Sequence, residues 1–264
     1  MTDREPQDGE IGLYADPSVY DILHAPGTAE EVDGLEAIAD RFAPGATTWL
    51  EPACGTARLL RVAAKRGRSV VGFDTSPEMT RYASERLEGR VPPSRARFFV
   101  GAMERFGKGN VRPGTIGFAF NTINSIRHLM SDVDLHAHFV EMHRSLSARG
   151  VYAIGLSTSG YGWEQPSEDT WTGTRGRIRV TQVVNYEPAT PPDRVEMVYS
   201  HLMAERPRGT EHFDSSYGLR TYSLGQWYDA IGASPFTLGG VVDEWGEDCD
   251  PVECGYRIYV LEKA

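Results

Sequence analysis

The chain has 264 residues, of which 40% are hydrophobic and 24% are charged, which suits one large globular domain with an insertion or two small domains. Its formal net charge of −10 argues against a nucleic-acid backbone or an anionic membrane as the main partner. The chain has no apolar run of roughly 18 residues, no signal-peptide pattern and only three cysteines, so we expect a cytoplasmic protein without a disulfide framework.

The N-terminal part predicts a tail, a covering segment and a helix. Residues 1–12 are polar and have little to bury, which is typical of a frayed tail. Residues 13–23 are aromatic and apolar without a regular period, which fits either a lid over a ligand cleft or a plug on the core. Thr28 and Glu31 have the spacing of a capping box and predict the start of a helix, which a Pro-Gly pair ends.

A strand, a turn of small residues, a helix and a second strand follow in residues 48–74. The first strand ends at Glu51, the helix begins near Thr56, and the second strand ends at Asp74. Small residues let a ligand approach the backbone, and the start of a helix offers unpaired N–H groups. An acid at the tip of the second strand can accept hydrogen bonds from two ribose hydroxyls. The pattern predicts half of a nucleotide-binding unit, with an ordinary βαβ unit as the alternative.

Three further strands continue this alternation. A helix capped by Ser76 precedes a strand at 96–100, and another strand spans 115–120. A helix with apolar residues every three or four positions then precedes a strand at 151–156. Five rounds of strand and helix imply a parallel sheet with helices on both faces.

The pattern changes after residue 156. Residues 157–174 predict a long loop, the runs 177–186 and 194–203 predict an antiparallel hairpin, and 217–222 is a candidate third strand. A helix and two strands, predicted as an antiparallel pair, then close the sheet.

These elements predict an α/β fold, with a doubly wound, mostly parallel seven-stranded sheet and an antiparallel β cap inserted after the fifth strand. We expect one structural domain with an insertion. Residues 1–158 would form the α/β core with an N-terminal lid, residues 159–216 the cap and substrate region, and residues 217–264 the return to the core sheet.

Polar residues stand at the carboxyl ends of three predicted strands, the edge where an open α/β sheet binds ligands. They are Glu51, Asp74 and the 121–125 turn. The chain has neither a Gly-x-Gly-x-x-Gly motif nor a phosphate loop, and the Glu51 carboxylate would repel a pyrophosphate. A cofactor with a ribose, no phosphate and a positive charge fits this edge best.

These motifs resemble those of class I S-adenosylmethionine-dependent methyltransferases. The resemblance lies in the 50–58 run Leu-Glu-Pro-Ala-Cys-Gly-Thr-Ala-Arg, in residues 71–79, and in residues 121–129, which look like the fourth-strand motif of the small-molecule branch. It covers about residues 14–158 and again 217–263. The resemblance implies a Rossmann-like methyltransferase fold, S-adenosylmethionine as cofactor and S-adenosylhomocysteine as product.

The resemblance also implies the cofactor-binding residues. Glu51 would lie near the ammonium group of the cofactor, Asp74 would accept from both ribose hydroxyls, and Tyr20 and Arg58 are candidates for its carboxylate. The other residues would surround the methionine, adenine and sulfonium groups: Ala53, Cys54, Gly55, Thr56, Thr75, Met79, Gly101, Ala102, Met103, Asn121 and Thr122.

The sequence departs from the family pattern at two positions. Ala57 stands where a glycine is usual, and an extra methyl group at the start of a helix is tolerable. Ala102 stands where an acid usually contacts the adenine amino group. Glu104 or a backbone carbonyl is a candidate substitute for that acid.

A general base is needed only if the methyl acceptor arrives protonated. His128, just past the fourth strand, is the histidine best placed for this catalytic role, and a hydrogen-bonded structural histidine is the alternative. The substrate candidates are Tyr14, Asn124, Ser125 and Trp163. Aromatic residues around the insertion suit either a substrate cap or packing of the hairpin against the sheet.

We expect no metal site. His136 and His138 lie about 200° apart on a helix and cannot share a metal ion. Cys249 and Cys254 lack two further ligands, so their acidic loop is interpreted as solvated.

The predicted function is transfer of a methyl group from S-adenosylmethionine to a nitrogen or oxygen of a small molecule, with neither a nucleic acid nor a membrane as partner. One alternative is an enzyme that uses the same cofactor differently, or a nicotinamide-dependent oxidoreductase, which the missing glycine motif disfavours. The other is a non-catalytic S-adenosylmethionine-binding subunit that regulates or scaffolds a partner. The identity of the acceptor and the formation of a homo-oligomer are left open.

Overall fold

The computed structural model describes residues 16–264, which divide into two compact units. The core unit comprises Gly27–Gly160 and Arg220–Ala264, and the cap unit comprises the described residues up to Pro26 together with Tyr161–Leu219. Within the described residues, no helix combines the length and the apolar character needed to cross a membrane.

The helices and strands are, in chain order, α1 (Pro17–Leu23), α2 (Thr28–Phe42), β1 (Thr48–Pro52), α3 (Arg58–Lys65), β2 (Ser69–Asp74), α4 (Pro77–Leu87), β3 (Ala96–Val100), β4 (Ile116–Asn121), α5 (Asp132–Ser145), β5 (Leu146–Thr158), β6 (Ser167–Arg175), β7 (Ile178–Glu187), β8 (Val195–Arg206), β9 (Gly209–Arg220), α6 (Leu224–Gly232), β10 (Phe236–Val242) and β11 (Gly255–Lys263). Short 3₁₀ turns at Met103–Arg105 and Ser125–His128 follow β3 and β4.

The core unit contains a seven-stranded sheet in the order β10-β11-β5-β4-β1-β2-β3. Strands β1 to β5 pair in parallel, whereas β11 runs antiparallel to both β5 and β10. The predicted doubly wound, mostly parallel sheet with a closing antiparallel pair is therefore confirmed.

Side chains of the central strands alternate between the two faces of the sheet, as the period of two demands. On one face, Trp49 packs edge-on against Phe118 and Phe120 in a cluster that includes α2, α3 and α4. On the other face, Leu50 and Ala119 join a cluster with α5 and α6. Because helices cover both faces, the ends of the strands are the part of the sheet where a ligand can bind.

Two helix starts differ from the prediction. Helix α3 begins at Arg58, later than expected, because Ala57 has a left-handed backbone with φ of 55°. Helix α2 has Gly27 at its N-cap and no side-chain cap hydrogen bond, so the predicted capping box of Thr28 and Glu31 is wrong. Both side chains accept hydrogen bonds from Arg58 instead.

The cap unit contains a four-stranded sheet in the order β6-β7-β8-β9, in which β7 runs antiparallel to β6 and β8. The prediction of a loop through residue 174 is wrong, because Ser167–Arg175 forms strand β6. Nearly all its side chains are exposed. The strand therefore lacks the hydrophobic alternation by which a sequence reveals a strand.

Helix α1 packs on this sheet within the cap unit. Val19, Ile22 and Leu23 share a buried cluster with residues of β7 and β8, and Asp21 forms an ion pair with Arg175 at 2.7 Å. The sequence grouped this segment with the core, as a lid or a plug. In the structure, the described part of the segment contributes to the apolar interior of the cap unit.

Candidate active site

Three polar side chains lie at neighbouring strand ends of the core unit. Glu51 is near the end of β1, Asp74 ends β2 and Asn121 ends β4. Because β1 pairs in parallel with both β2 and β4, these ends meet at one edge of the sheet. The residues that the sequence assigned to three separate strand tips therefore line a common edge.

The turn between β1 and α3 contains three residues with a left-handed backbone. Ala53, Gly55 and Ala57 have φ angles of 51°, 52° and 55°. This conformation costs a residue with a side chain about 1–2 kcal/mol, which gives a physical reason for the glycine that is usual at the position of Ala57. The turn also lies close to β2, because a Cβ on Gly72 would be 2.9 Å from the Cys54 sulfur.

Backbone donors fix the Asp74 carboxylate. The N–H of Gly55 donates to one oxygen at 2.8 Å, and the N–H of Ser76 donates to the other at 3.0 Å. Burial raises the pKa of Asp74, while these hydrogen bonds act to lower it. A carboxylate has about four lone-pair sites, so two backbone bonds leave it able to accept two hydroxyl donors, as ribose recognition requires.

Two buried oxygens at this edge have no hydrogen-bond partner among the described residues: Glu51 Oε2 and Asn121 Oδ1. Asn121 is oriented by its amide nitrogen, which donates to Pro52 O at 3.0 Å. Burial raises the pKa of Glu51 well above its usual value, although the nearby Arg58 lowers it. An unsatisfied buried acceptor costs about 1–3 kcal/mol. A cationic ligand with N–H donors, such as the ammonium group of S-adenosylmethionine, therefore fits these strand ends.

Arg58 is buried and forms a two-pronged ion pair with Glu31, at 2.6 and 2.7 Å. It also donates to the Thr28 hydroxyl at 3.2 Å. Glu31 therefore neutralises much of the positive charge with which Arg58 was predicted to bind the cofactor carboxylate. That assignment of Arg58 stays a prediction.

The predicted adenine pocket follows β2 and β3. The N–H of Gly101 donates to Asp74 O at 2.9 Å, which ties the turn after β3 to the end of β2. Ala102 offers no polar side chain, and the Glu104 carboxylate is paired with the adjacent Arg105. The backbone of residues 101–103 is thus the polar surface that this turn offers to an adenine edge.

The buried His138, for which the sequence predicted no role in the site, holds the turn after β3. His138 Nδ1 lies 3.0 Å from Met103 O, and its Nε2 lies 2.9 Å from the Tyr152 hydroxyl. Because a carbonyl can only accept, Nδ1 carries the proton and Nε2 accepts from Tyr152. Burial lowers the pKa of His138 to about 4, so the ring is neutral at neutral pH. The signal in the sequence was its position on the apolar face of α5, three residues after Leu135.

Beyond β4 the chain turns through Ile123 and Asn124, whose φ angles are 59° and 61°. Asn124 is held by β5: the N–H of Ser157 donates to its Oδ1 at 2.6 Å, and its amide donates to the Ser157 hydroxyl at 3.1 Å. The Ser125 hydroxyl donates to Thr122 O at 3.3 Å. A left-handed β-branched residue is unusual, so this turn is a strained segment that hydrogen bonds hold in place.

A cavity of about 620 Å³ lies against this turn within the core unit. Its walls come from α2, from residues 122–124, from the loop after β10 and from β11. Of the residues predicted to bind cofactor or substrate, Thr122 and Asn124 line it. The glutamates and tyrosine that also line it were not predicted, because they come from distant parts of the chain.

His128 ends the 3₁₀ turn after β4 and has an exposed side chain. Desolvation by the surrounding protein, and then the positive charge of Arg127, lower the pKa of His128. The imidazole is therefore neutral and able to accept a proton at neutral pH. Tyr20 and Trp163 belong to the cap unit, where Trp163 is 87% exposed. Tyr14 lies outside the described residues. The roles assigned to these residues stay predictions.

The remaining predicted cofactor residues show no alternative chemistry. Burial raises the pKa of the Cys54 thiol well above its usual value, so it is no nucleophile. Thr56 and Met79 are buried, and Thr75 lies between Asp74 and the N-cap of α4. Across residues 16–264, no group of three or more His, Cys, Asp or Glu side chains could hold a metal ion.

The core matches known proteins. A family model described as a methyltransferase domain matches residues 50–150. The dTDP-3-amino-3,6-dideoxy-alpha-D-glucopyranose N,N-dimethyltransferase of Streptomyces fradiae is 24% identical over an alignment of 233 positions, and the match covers 83% of this chain and 83% of that protein. The structure of DesVI from Streptomyces venezuelae has a TM-score of 0.73 at 19% identity and covers 94% of this chain and 98% of its own. The S-adenosylmethionine-bound structure of CalS10, an amino pentose methyltransferase from Micromonospora echinaspora, has a TM-score of 0.66 at 18% identity, with coverages of 88% and 91%.

The seven-stranded fold and the methyltransferase domain matched over residues 50–150 support an S-adenosylmethionine-dependent methyltransferase with the class I fold. The resemblance seen in the sequence is therefore confirmed. The chain is an enzyme with S-adenosylmethionine as its methyl donor, which sets aside both the oxidoreductase and the non-catalytic subunit.

Proposed function

We propose that this methyltransferase transfers the methyl group to the amino nitrogen of a sugar-like small molecule. The observation that carries the proposal is the cavity of about 620 Å³ beside the turn after β4, which Thr122 and two glutamates line from different elements. The names of two similar proteins support it, because the Streptomyces fradiae relative is named for N,N-dimethylation of a dTDP-linked amino sugar, and CalS10 is described as an amino pentose methyltransferase.

In this proposal the strand edge binds the cofactor. Glu51 and Asn121 accept N–H donors from the ammonium group of the cofactor, which would satisfy their two unpartnered oxygens. Asp74 accepts from the ribose hydroxyls, and the backbone of residues 101–103 faces the adenine. Thr122, directly after Asn121, then lies next to the sulfur that bears the methyl group.

Bound S-adenosylmethionine supplies a methyl group already activated by a positively charged sulfur. The acceptor ammonium first loses a proton to a base, and the lone pair so freed forms the new N–C bond while the C–S electron pair returns to sulfur, which leaves a thioether and a methylated ammonium. The protein has to align the amine, exclude water and provide for that proton. His128 is the candidate proton acceptor, because its lowered pKa keeps it neutral.

The activity can be tested with S-adenosylmethionine and a nucleotide-linked amino sugar. We expect mass spectrometry to detect addition of one or two methyl groups, with one S-adenosylhomocysteine formed for each methyl group transferred. The control acceptor is the same sugar with a hydroxyl in place of the amine, which should stay unmodified. Transfer to the hydroxyl at a comparable rate, or failure with every amine of a panel, would contradict the proposal.

We also propose a reducing, cytoplasmic setting. The structure describes all three cysteines, and none of them forms a disulfide bond. A reducing compartment keeps thiols in that state.

A further inference from the structure

We propose that the cavity beside β4 is the binding site for the amino group of the acceptor, with the Glu244 carboxylate as counter-ion and the Tyr256 hydroxyl as hydrogen-bond partner. The inference rests on the proposed function and names the chemistry that selects its substrate. The acceptor would be a primary or secondary amine that enters as a cation and is carried on a ring of sugar size.

The Tyr256 hydroxyl has a defined position over β5. A Cβ on Gly155 would lie 1.9 Å from the Tyr256 oxygen, so a glycine at this position leaves room for the ring. The N–H of Ile123 approaches the same oxygen at 3.5 Å, which is too long for a strong hydrogen bond. Among the described residues, no acceptor takes the hydroxyl proton. Tyr256 can therefore donate to a ligand.

Two carboxylates act on this hydroxyl, Glu31 from α2 and Glu244 from the loop after β10. Burial raises the pKa of Tyr256 to about 12, and the negative charges of Glu31 and Glu244 contribute to this increase. Glu31 is neutralised by its two-pronged pair with Arg58. Glu244 is exposed and forms no ion pair within residues 16–264. The cavity thus has one carboxylate whose charge is uncompensated.

The positively charged Arg257 also lines the cavity, but its guanidinium donates to backbone oxygens. Arg257 donates from Nε to Asp250 O at 3.0 Å and from Nη1 to Tyr256 O at 2.8 Å. These backbone oxygens hold the guanidinium along the loop and strand. Among the described residues, no ion pair joins this guanidinium to the Glu244 carboxylate.

The loop that carries Glu244 is firmly held. The Asp243 side chain accepts the N–H of Trp245 at 2.9 Å and that of Glu247 at 3.0 Å. A Cβ on Gly34 of α2 would lie 1.9 Å from Glu244 O, so the loop rests directly on the helix. A fixed backbone is what a counter-ion needs in order to act with geometric selectivity.

The rest of the wall is apolar and suits the C–H face of a ring. Leu35, Ile123 and Ile258 line it, and Ile123 is 55% exposed although its turn is strained. The volume of about 620 Å³ lies within the roughly 300–1,000 Å³ of small-molecule sites. A carboxylate, a hydroxyl and an apolar wall together match an amine on a small ring.

The test compares Glu244→Gln and Tyr256→Phe with Glu247→Gln, a matched control on the same loop whose side chain does not line the cavity. Calorimetry on the full chain saturated with S-adenosylhomocysteine measures the affinity for the amino sugar and for its hydroxyl analogue. We expect Glu244→Gln to weaken binding of the amine about ten-fold or more, as loss of a charge-assisted hydrogen bond predicts. Binding of the hydroxyl analogue and of S-adenosylhomocysteine should change less than about two-fold.

Tyr256→Phe should weaken the amine about three- to ten-fold, and Glu247→Gln should leave it unchanged. In turnover, Glu244→Gln should raise KM for the amine while kcat stays within about two-fold. Equal losses for the amine and the hydroxyl analogue, or unchanged amine affinity in Glu244→Gln, would overturn the inference. If the amine binds through Glu244 but is never methylated, the proposed function fails and the site stands. If the amine is methylated and Glu244→Gln has no effect, the site fails and the function stands.

Discussion

At the ends of β1 and β2 the polar side chains are held by backbone groups, whereas the cavity beyond β4 is lined by side chains from a helix, a loop and a strand. Asp74 accepts from two backbone N–H groups, while Glu244 has no ion-pair partner in the described part of the chain. Backbone donors persist through most substitutions, but a lining side chain can change without disturbing the sheet. If the two regions bind cofactor and acceptor as proposed, the fold sets the first and a few side chains set the second, and substitutions should separate the two.

The largest expected effect is the loss of stability when His138, which holds the turn after β3, is replaced. His138→Leu would leave both Met103 O and the Tyr152 hydroxyl without their partner, at about 1–3 kcal/mol for each. We expect the free energy of unfolding in urea to fall by about 3 kcal/mol. His136→Leu, an exposed position on the same helix, is the control and should change stability by less than about 0.5 kcal/mol.

The same variant has a signature in its pH dependence. The native pKa of His138 is about 4, below the ordinary value of 6.5, so the unfolded chain binds this proton first as the pH falls. Stability is thus lost as the pH falls from 6.5 towards 4. His138→Leu should show a shallower loss in that window. An unchanged slope would mean that another group titrates there.

The next effect concerns the cofactor alone. Asp74→Ala should weaken binding of S-adenosylhomocysteine at least about ten-fold, because hydrogen bonds to a charged group are worth about 1.5–3 kcal/mol. Calorimetry measures this, with the exposed Asp229→Ala as control. Acceptor affinity should fall much less than cofactor affinity. Unchanged cofactor affinity would place the ribose elsewhere, and equal losses for both ligands would break the division between the two regions.

A substitution of Glu51 tests whether this buried carboxyl group lowers the stability of the ligand-free protein. Burial raises its pKa well above 4.5, so the native state keeps this proton to a higher pH than the unfolded chain does. Its contribution to stability therefore falls as the pH rises above 4.5. Glu51→Gln should make the ligand-free protein about 1 kcal/mol more stable at pH 8, and weaken S-adenosylhomocysteine binding about ten-fold. A variant that is less stable and binds equally well would contradict this trade-off.

The sequence could predict which polar residues lie at the strand ends because that information is local. Strand period, turn composition and spacing locate Glu51, Asp74 and Asn121 at strand ends, and parallel pairing brings these ends together. The capping box at Thr28 failed because Arg58, from another helix, competes for the same side chains. Such competition is set by tertiary packing, so no local pattern reveals it.

The cavity proposed for the acceptor could not be predicted, because its lining depends on tertiary packing. Glu31, Ile123, Glu244 and Tyr256 reach one cavity only through packing of α2 and β11 on the sheet edge. Each looked like an ordinary residue of a helix, a turn, a loop or a strand. Strand β6 was not predicted for a different reason, because its mostly exposed side chains show no alternation of hydrophobic and polar residues.

The smallest expected effect lies in the turn after β1 and asks whether its left-handed backbone is strained. Ala57→Gly and Ala63→Gly each remove one fully buried methyl group, worth about 0.8 kcal/mol. Ala63 lies inside α3, where glycine costs about 1 kcal/mol more, so its variant should lose about 2 kcal/mol in urea unfolding. At Ala57, with φ of 55°, relief of about 1–2 kcal/mol exceeds the loss of the methyl group, and stability should rise by about 0.2–1.2 kcal/mol. Equal losses at the two positions would mean that the turn tolerates alanine without strain.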